Sequence, residues 1–151
     1  MSDAERAELL ELYKVSVEMA DRISARRGTA NAFFVSVEAA LATALAIFPP
    51  LNDAVPAAGV VAVAGVGVVL SGVWWLQLRS YRDLNSAKFR TIFAMEKRLV
   101  AQPFAHEWDE LQKDKIQGWR GRYAELGFSE RVVPWLFAIL YVLLAIYSVV
   151  T

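Results

Sequence analysis

The sequence predicts an all-α membrane protein with three transmembrane helices and amphipathic cytoplasmic helices that form a stalk. Two observations carry this prediction: three long apolar blocks, and the confinement of every Lys and Arg to residues 1–28 and 79–131, which lie before the first block and between the second and third. Hydrophobic residues make up 56% of the 151 residues, above the roughly 45–50% of soluble domains. Charged residues still reach 21%, so the apolar excess is concentrated in blocks.

The apolar blocks are residues 30–48, 55–78 and 132–150, and each is predicted to be one transmembrane helix. The first contains a single charged residue, Glu38, and the other two contain none. About 20 helical residues cross the hydrocarbon core of a bilayer, so each block has the required length. A helix satisfies its own backbone hydrogen bonds in lipid, which makes it the expected conformation.

The distribution of basic residues predicts the topology. Five of the 16 Lys and Arg lie in residues 1–28 and eleven lie in residues 79–131. The link at 49–54 contains none and is short enough to be a tight external turn. The positive-inside rule therefore places residues 1–28 and 79–131 in the cytoplasm and the C-terminus outside. The acidic, amphipathic N-terminus has no apolar core of a cleavable signal peptide.

Residues 1–28 and 79–131 are predicted to form cytoplasmic helices. Apolar side chains recur at three- and four-residue steps over 1–27 and again over 80–99, and no helix breaker separates Gly72 from Leu99. The second transmembrane helix is therefore expected to continue into the cytoplasm until Pro103, and a further helical pattern covers 105–126. The two stripes are predicted to pack as a stalk through Tyr13, Val17, Tyr81, Leu84, Phe89 and Ile92.

Glu38 is the candidate polar site within the membrane. An intramembrane carboxylate is costly and normally faces a bundle interior or a water-filled path. One interpretation makes Glu38 a pore-lining or proton-linked group. The other makes it a hydrogen-bonded contact between helices or subunits.

Rows of small residues predict close helix contacts and homo-oligomerisation. Lipid supplies no hydrophobic drive between helices, so small side chains at four-residue spacing mark surfaces where helices approach closely. Packing within one protomer is the alternative use of such rows. The predicted oligomer contacts are Ser36, Ala40, Ala44, Gly67 and Ser71.

Aromatic and basic residues at the block edges are predicted to anchor the chain at the membrane interface, through ring amphipathicity and headgroup contacts. These anchors are Arg26, Arg27, Trp74, Trp75, Arg79, Arg82 and Trp135. The acids of 79–131 are expected to lie mostly on a solvated or salt-bridged face: Asp83, Glu96, Glu107, Asp109, Glu110, Asp114, Glu125 and Glu130.

No recognisable catalytic motif accompanies these features. There is no Cys, which excludes disulfides and thiolate chemistry, and His106 is the single histidine. A metal site needs several ligands at fixed spacing, so we expect a solvated acidic turn around His106 and no metal or cofactor. The net charge of zero gives no indication of nucleic-acid binding. We therefore expect no enzyme activity and no nucleic-acid partner.

Several segments resemble a known family. They are YKVSVEMADRISARRGTANAFF, the Trp74–Trp75 edge, SYRDLNSAKF, and MEKRL followed by FAHEWDEL. Together they resemble the RipA-type small bacterial membrane proteins, which are described as octameric, over roughly Tyr13 to Tyr141. More distantly, the chain is similar to the SLATT class of small helical membrane proteins. The resemblance implies a homo-oligomer in the bacterial inner membrane and no settled activity; for the SLATT class, pore formation is a proposal.

Two functions follow as hypotheses. The first is a homo-oligomeric pore or channel-like ring, with Glu38 and the small-residue rows around the axis. The second is a non-conducting scaffold that presents its stalk to a cytoplasmic protein partner. In both, the expected partners are further copies of the chain and membrane lipid.

Overall fold

The computed structural model describes residues 2–51, 56–113 and 126–150. It contains four helices within these ranges: α1 at Asp3–Leu51, α2 at Ala57–Glu96, α3 at Pro103–Lys113 and α4 at Leu126–Val150. The link containing Asp53, and Ile116, Trp119 and Tyr123 of the pattern predicted over 105–126, lie outside the described residues. All elements in the described part of the chain are helical, as the sequence predicts.

Local sequence explains where the helices begin. At the start of α1, Ser2 and Glu5 form a reciprocal capping box: the Ser2 amide donates to Glu5 Oε2 (2.7 Å) and the Glu5 amide donates to Ser2 Oγ (3.3 Å). At α2, the carbonyl of Pro56 accepts hydrogen bonds from the Gly59 and Val60 amides. Pro103 occupies the first position of α3, where its missing N–H costs nothing.

The helix bounds differ from the predicted blocks at three places. Helix α1 extends through Pro49 to Leu51, beyond the predicted end of the first block. Helix α2 continues past its apolar block but ends at Glu96, before Pro103, in a tight turn in which Arg98 and Leu99 donate to the carbonyls of Met95 and Glu96. Helix α4 begins at Leu126, so Pro134 lies inside it. Transmembrane helices tolerate such a proline better than soluble ones do.

Three helices are long and apolar enough to cross a membrane: Asp3–Ile47, Ala57–Glu96 and Glu130–Val150. The most apolar window of α2 is 28% buried within the protomer, whereas those of the first and third spans are 11% buried. Helix α2 is therefore the best covered of the three. Most apolar side chains of α1 and α4 face outward, as expected for surfaces that contact lipid or neighbouring subunits.

The chain divides into two compact units. Unit 1 comprises Met1–Arg26 and Tyr81–Glu125, and unit 2 comprises Arg27–Ser80 and Leu126–Thr151. Unit 2 contains all three apolar blocks apart from residues outside the described ranges. Its core consists of two clusters: Ala42, Leu45, Val60, Ala64 and Tyr141 in one, and Phe34, Trp74 and Leu78 in the other.

Candidate functional site

Glu38 is the centre of a polar contact inside unit 2. Its side chain is fully buried (0% exposed), although it belongs to a helix whose other residues mostly face outward. Ser71 Oγ donates a hydrogen bond of 3.0 Å to Glu38 Oε1. The other carboxyl oxygen, Oε2, is buried and has no hydrogen-bond partner among the described residues. The contact therefore joins α1 to α2 and leaves one strong acceptor unused.

Helix α4 closes this site through Tyr141, which is also fully buried. The phenol donates a hydrogen bond of 2.8 Å to the backbone carbonyl of Glu38. Its ring lies directly against Gly67: a Cβ at that position would come within 2.5 Å of Tyr141 Cε2. Gly67 and Ser71 are four residues apart and so share one face of α2. One turn of α2 thus provides both the space for the ring and the donor for the carboxyl group.

The predicted oligomer contacts separate into two groups in the protomer. Ser36 and Ala40 are exposed and Ala44 is half-buried, so this row is largely available to another subunit. The Ser36 hydroxyl donates to the Ala32 carbonyl of its own helix (2.9 Å), which leaves little polarity on the row. Gly67 and Ser71 instead lie within unit 2, where they contact Tyr141 and Glu38.

Trp74 lies in the core of unit 2 and does not point outward from the protomer as an interface anchor. It is 1% exposed, and its ring stacks on Phe34 with centroids 5.8 Å apart. The physical reason is Asn31, whose Oδ1 accepts a hydrogen bond of 3.0 Å from Trp74 Nε1. This internal acceptor replaces the water or headgroup that an interfacial indole would use.

The remaining predicted anchors have more open positions. Trp75 contacts Trp135 edge to face, with centroids 6.3 Å apart, and Arg79 lies 5.8 Å over the Trp75 ring. Trp135 is 57% exposed. Arg27 pairs with Glu130 at 2.9 Å, joining α1 to α4. Arg26 and Arg82 are exposed.

A second buried glutamate, Glu96, organises unit 1. It ends α2, is 0% exposed, and accepts three hydrogen bonds. The amides of Phe104 and Ala105, in the first turn of α3, donate to Oε1 (3.1 Å) and Oε2 (3.0 Å). The Tyr13 hydroxyl donates to Oε1 at 2.9 Å. Glu96 is therefore the N-terminal cap of α3, where a negative charge is also favoured by the helix dipole.

The expectation that the acids of 79–131 are mostly solvated is wrong for Glu96. The signal that identifies it is its spacing from Phe89 and Ile92, at seven and four residues, which places the three on one face. Burial, the hydrogen bond to Glu96 and the nearby negative charge raise the pKa of Tyr13 to about 12. The phenol therefore remains a hydrogen-bond donor throughout the neutral range.

The residues of the predicted stalk stripe are found in different environments. Ile92 is fully buried, and Val17, Phe89 and Ile92 line one small cavity. Leu84 is 46% exposed. Helices α1 and α2 contact each other within unit 1 through the Tyr13–Glu96 hydrogen bond and a Ser16–Met95 contact of 3.9 Å. The buried face of α2 is thus turned from Leu84 towards Asn85, Phe89 and Glu96.

These features define an all-helical membrane protein with an internal polar contact among its three candidate spans. The match to a family model makes the class specific: residues 10–150 match the octameric membrane protein family (8xMP). The chain belongs to this family, whose description implies a membrane-embedded homo-oligomer. No curated protein and no solved structure matches the chain.

Proposed function

We propose that this protein is a non-conducting, homo-oligomeric scaffold of the bacterial inner membrane that presents unit 1, as a cytoplasmic helical stalk, to a cytoplasmic protein partner. The observation that carries the proposal is the internal use of Glu38. The one acidic or basic residue of the apolar blocks is enclosed by α1, α2 and α4, and its Oε1 accepts a hydrogen bond from Ser71. It contributes no charge to the outer surface of unit 2.

The outward hydroxyls of α1 within the first block support the same conclusion. Ser36 and Thr43 donate to the carbonyls of Ala32 and Ala39 in their own helix, at 2.9 and 2.7 Å. Many selective pores are lined by rings of backbone carbonyls or charged side chains that face the axis. Surfaces with satisfied hydroxyls and apolar side chains are better suited to lipid and to neighbouring subunits.

Unit 1 supplies the surface for a partner. The positive-inside rule places it in the cytoplasm, with the N-terminus inside and the C-terminus outside. The outward side of α3 carries exposed polar side chains, among them His106 and Asp109. The proposal assigns the protein no catalytic activity, cofactor or nucleic-acid ligand.

Electrical recording tests the non-conducting part of the proposal. The purified oligomer, reconstituted in planar bilayers, is expected to give no unitary conductance steps, and Glu38→Gln is expected to behave identically. Reproducible steps in wild type would overturn it, and a change of those steps in Glu38→Gln would assign the conduction path to Glu38. The subunit number measured by native mass spectrometry in the same preparation shows that the assembled form was tested.

Site-specific photo-crosslinking in cells tests the partner. Photoreactive residues at His106 and Asp109 are expected to capture the same cytoplasmic protein, and a charge-reversal at Asp109 should reduce the yield at His106. The same probe at Val73, which is exposed in the apolar part of unit 2, is the matched control and should not capture it. Absence of a common adduct at the two α3 positions counts against the scaffold.

A pore is the second candidate, and one observation favours it. Glu38 Oε2 is a buried acceptor without a partner among the described residues, and such a group is a usual feature of proton and ion paths. In this alternative, assembly or a trigger separates α1 from α2 and turns Glu38 towards the ring axis. The recording described above distinguishes the two candidates directly.

A further inference from the structure

Unit 1 contains an open groove between α2 and α3 that none of the contacts described above uses. It has a volume of about 560 Å³, and its apolar lining consists of Phe89, Phe93, Phe104 and Trp108. Within this lining, the rings of Phe89 and Phe104 meet edge to face with centroids 5.9 Å apart. Trp108 is 53% exposed, so part of the aromatic lining is accessible to an occupant.

The groove also contains an unsatisfied polar group. Asn85 lines it, and Asn85 Oδ1 is buried without a hydrogen-bond partner in the described part of the chain. Buried acceptors in folded proteins are nearly always paired. The unpaired Asn85 acceptor therefore marks the groove as a surface that is incomplete within the described part of the protomer.

A second apolar surface of unit 1 has the opposite shape. Leu12, Val15 and Met19 project from α1 as an exposed ridge, 51, 50 and 43% exposed respectively. Their spacing of three and four residues places them on one face of the helix. The buried face of α1 contains Leu9, Ala20 and Ile23, so the exposed ridge is distinct from that buried face.

The ridge and the groove lie on different sides of the α1–α2 pair. Met19 Sδ, in the ridge, is 3.7 Å from Lys88 Nζ on α2. Lys88 and the groove residue Phe93 are five positions apart on α2. At 3.6 residues per turn, their side chains therefore leave the helix axis in directions that differ by roughly 140°. Unit 1 therefore carries a convex and a concave apolar surface that point different ways.

Assembly in a closed ring requires two such surfaces. Cyclic rings with more than two subunits use heterologous contacts, in which one patch of each subunit meets a different patch of the next. The chain belongs to an octameric family, so the protein is expected to carry a complementary pair. Glu8 lies one turn before Leu12 on the ridge face, and the groove is lined by Arg90 as well as Glu107, so one acid–base pair is available across such an interface.

We infer that the ridge of Leu12, Val15 and Met19 docks in the α2–α3 groove of the neighbouring copy and forms a head-to-tail subunit interface. The occupant of the groove is a second copy of this chain. The interface lies in unit 1 and adds to contacts between the apolar blocks. It is independent of whether the ring conducts.

The absence of cysteine makes disulfide crosslinking a direct test. The variant V15C/S86C places one thiol on the ridge and one on the groove lining, at an exposed serine. Mild oxidation in native membranes is expected to give a ladder of covalent multimers, reversed by reductant. Each single variant, V15C or S86C, should remain monomeric on denaturing gels because like surfaces do not meet.

The matched control is V15C/T91C, since Thr91 is exposed on α2 but does not line the groove. This variant should give no ladder.

Val15→Arg should lower the subunit number in native mass spectrometry while leaving the helical circular dichroism unchanged. Two results would overturn the inference. The first is no ladder from V15C/S86C in membranes that still contain the oligomer, which would assign the groove to another occupant. The second is efficient dimer formation by V15C alone, which would require ridge-to-ridge contact.

Discussion

Glu38 in unit 2 and Glu96 in unit 1 are both fully buried, yet they differ in how completely their oxygens are used. Glu96 accepts three hydrogen bonds, two of them from amides that would otherwise lack partners at the start of α3. Glu38 accepts one side-chain hydrogen bond, from Ser71, and keeps a buried oxygen without a partner in the described residues. The first carboxylate stabilises a local fold, whereas the second retains an unused capacity to bind a donor.

The two buried glutamates indicate that burial alone does not identify a functional carboxylate. Buried charge is tolerated where donors satisfy it, and then it serves as a structural cap. Where donors are missing, the folded protein carries a cost that must be offset by packing or used in function. Substitutions at the two sites should therefore have very different effects on stability.

Glu96→Ala is expected to have the largest effect. It removes three hydrogen bonds to a buried carboxylate and leaves the amides of Phe104 and Ala105 without their cap, for a loss of about 3 kcal/mol. Hydrogen exchange of the amides in 104–110 should accelerate by about two orders of magnitude, because α3 opens locally. Asp109→Ala, at an exposed acid of the same helix, is the control and should leave exchange almost unchanged. Equal protection in wild type and Glu96→Ala would show that α3 does not depend on this cap.

Gly67→Ala should be the next most damaging change. Its Cβ would lie 2.5 Å from the Tyr141 ring, so α4 or the ring must shift, at a cost of about 2 kcal/mol. Gly65→Ala and Gly72→Ala are matched controls on the same helix, since a Cβ at either position meets nothing within 4 Å. Both controls should be neutral or slightly stabilising, in line with the better helix propensity of alanine. Thermal unfolding in detergent micelles measures all three, and equal destabilisation of the three variants would rule out the Tyr141 contact as the cause.

The sequence predicts the membrane-related features well because they depend on composition summed over long segments. The apolar blocks account for three helices able to span a bilayer, and Glu38 is visible as the one charge among them. The contacts of the site are not predictable in the same way. Tyr141 and Glu38 are 103 residues apart, and Tyr13 and Glu96 are 83 apart. Nothing local indicates that these pairs meet.

Glu96 illustrates the limit most clearly. In the segment MEKRL it is followed directly by Lys97 and Arg98, and this local charge favours a solvated position. Its burial depends on the turn that brings α3 back against α2, which local periodicity does not specify. Trp74 shows the reverse case: its position at a block edge predicts an anchor, but Asn31 satisfies the indole inside the core.

Tyr13→Phe removes one of the three donors to Glu96 and should destabilise unit 1 by about 1 kcal/mol. The effect should depend on pH, because the pKa of Tyr13 is raised from 10.0 to about 12. A raised folded-state pKa means that the neutral phenol is favoured by folding, so its contribution is complete below pH 10 and is lost as the pH rises through 12. The difference in unfolding free energy between wild type and Tyr13→Phe is thus expected to be constant from pH 7 to 9 and to shrink above pH 10. A difference that does not change with pH would contradict the proposed hydrogen bond.

Glu38→Gln should have the smallest effect of the series, below about 1 kcal/mol. The amide has nearly the same shape as the carboxyl group, and its oxygen can still accept the hydrogen bond from Ser71. At Glu38 the only side-chain hydrogen bond to be kept is the one from Ser71. At Glu96 both carboxyl oxygens accept hydrogen bonds, so Glu96→Gln places an amide NH₂ against one of these donors and should be clearly more destabilising. Thermal unfolding of the two glutamine variants in the same micelles gives this contrast. A destabilisation by Glu38→Gln as large as that by Glu96→Gln would mean that Glu38 Oε2 has a partner in the assembled protein, and the subunit contact would then be the place to look for its donor.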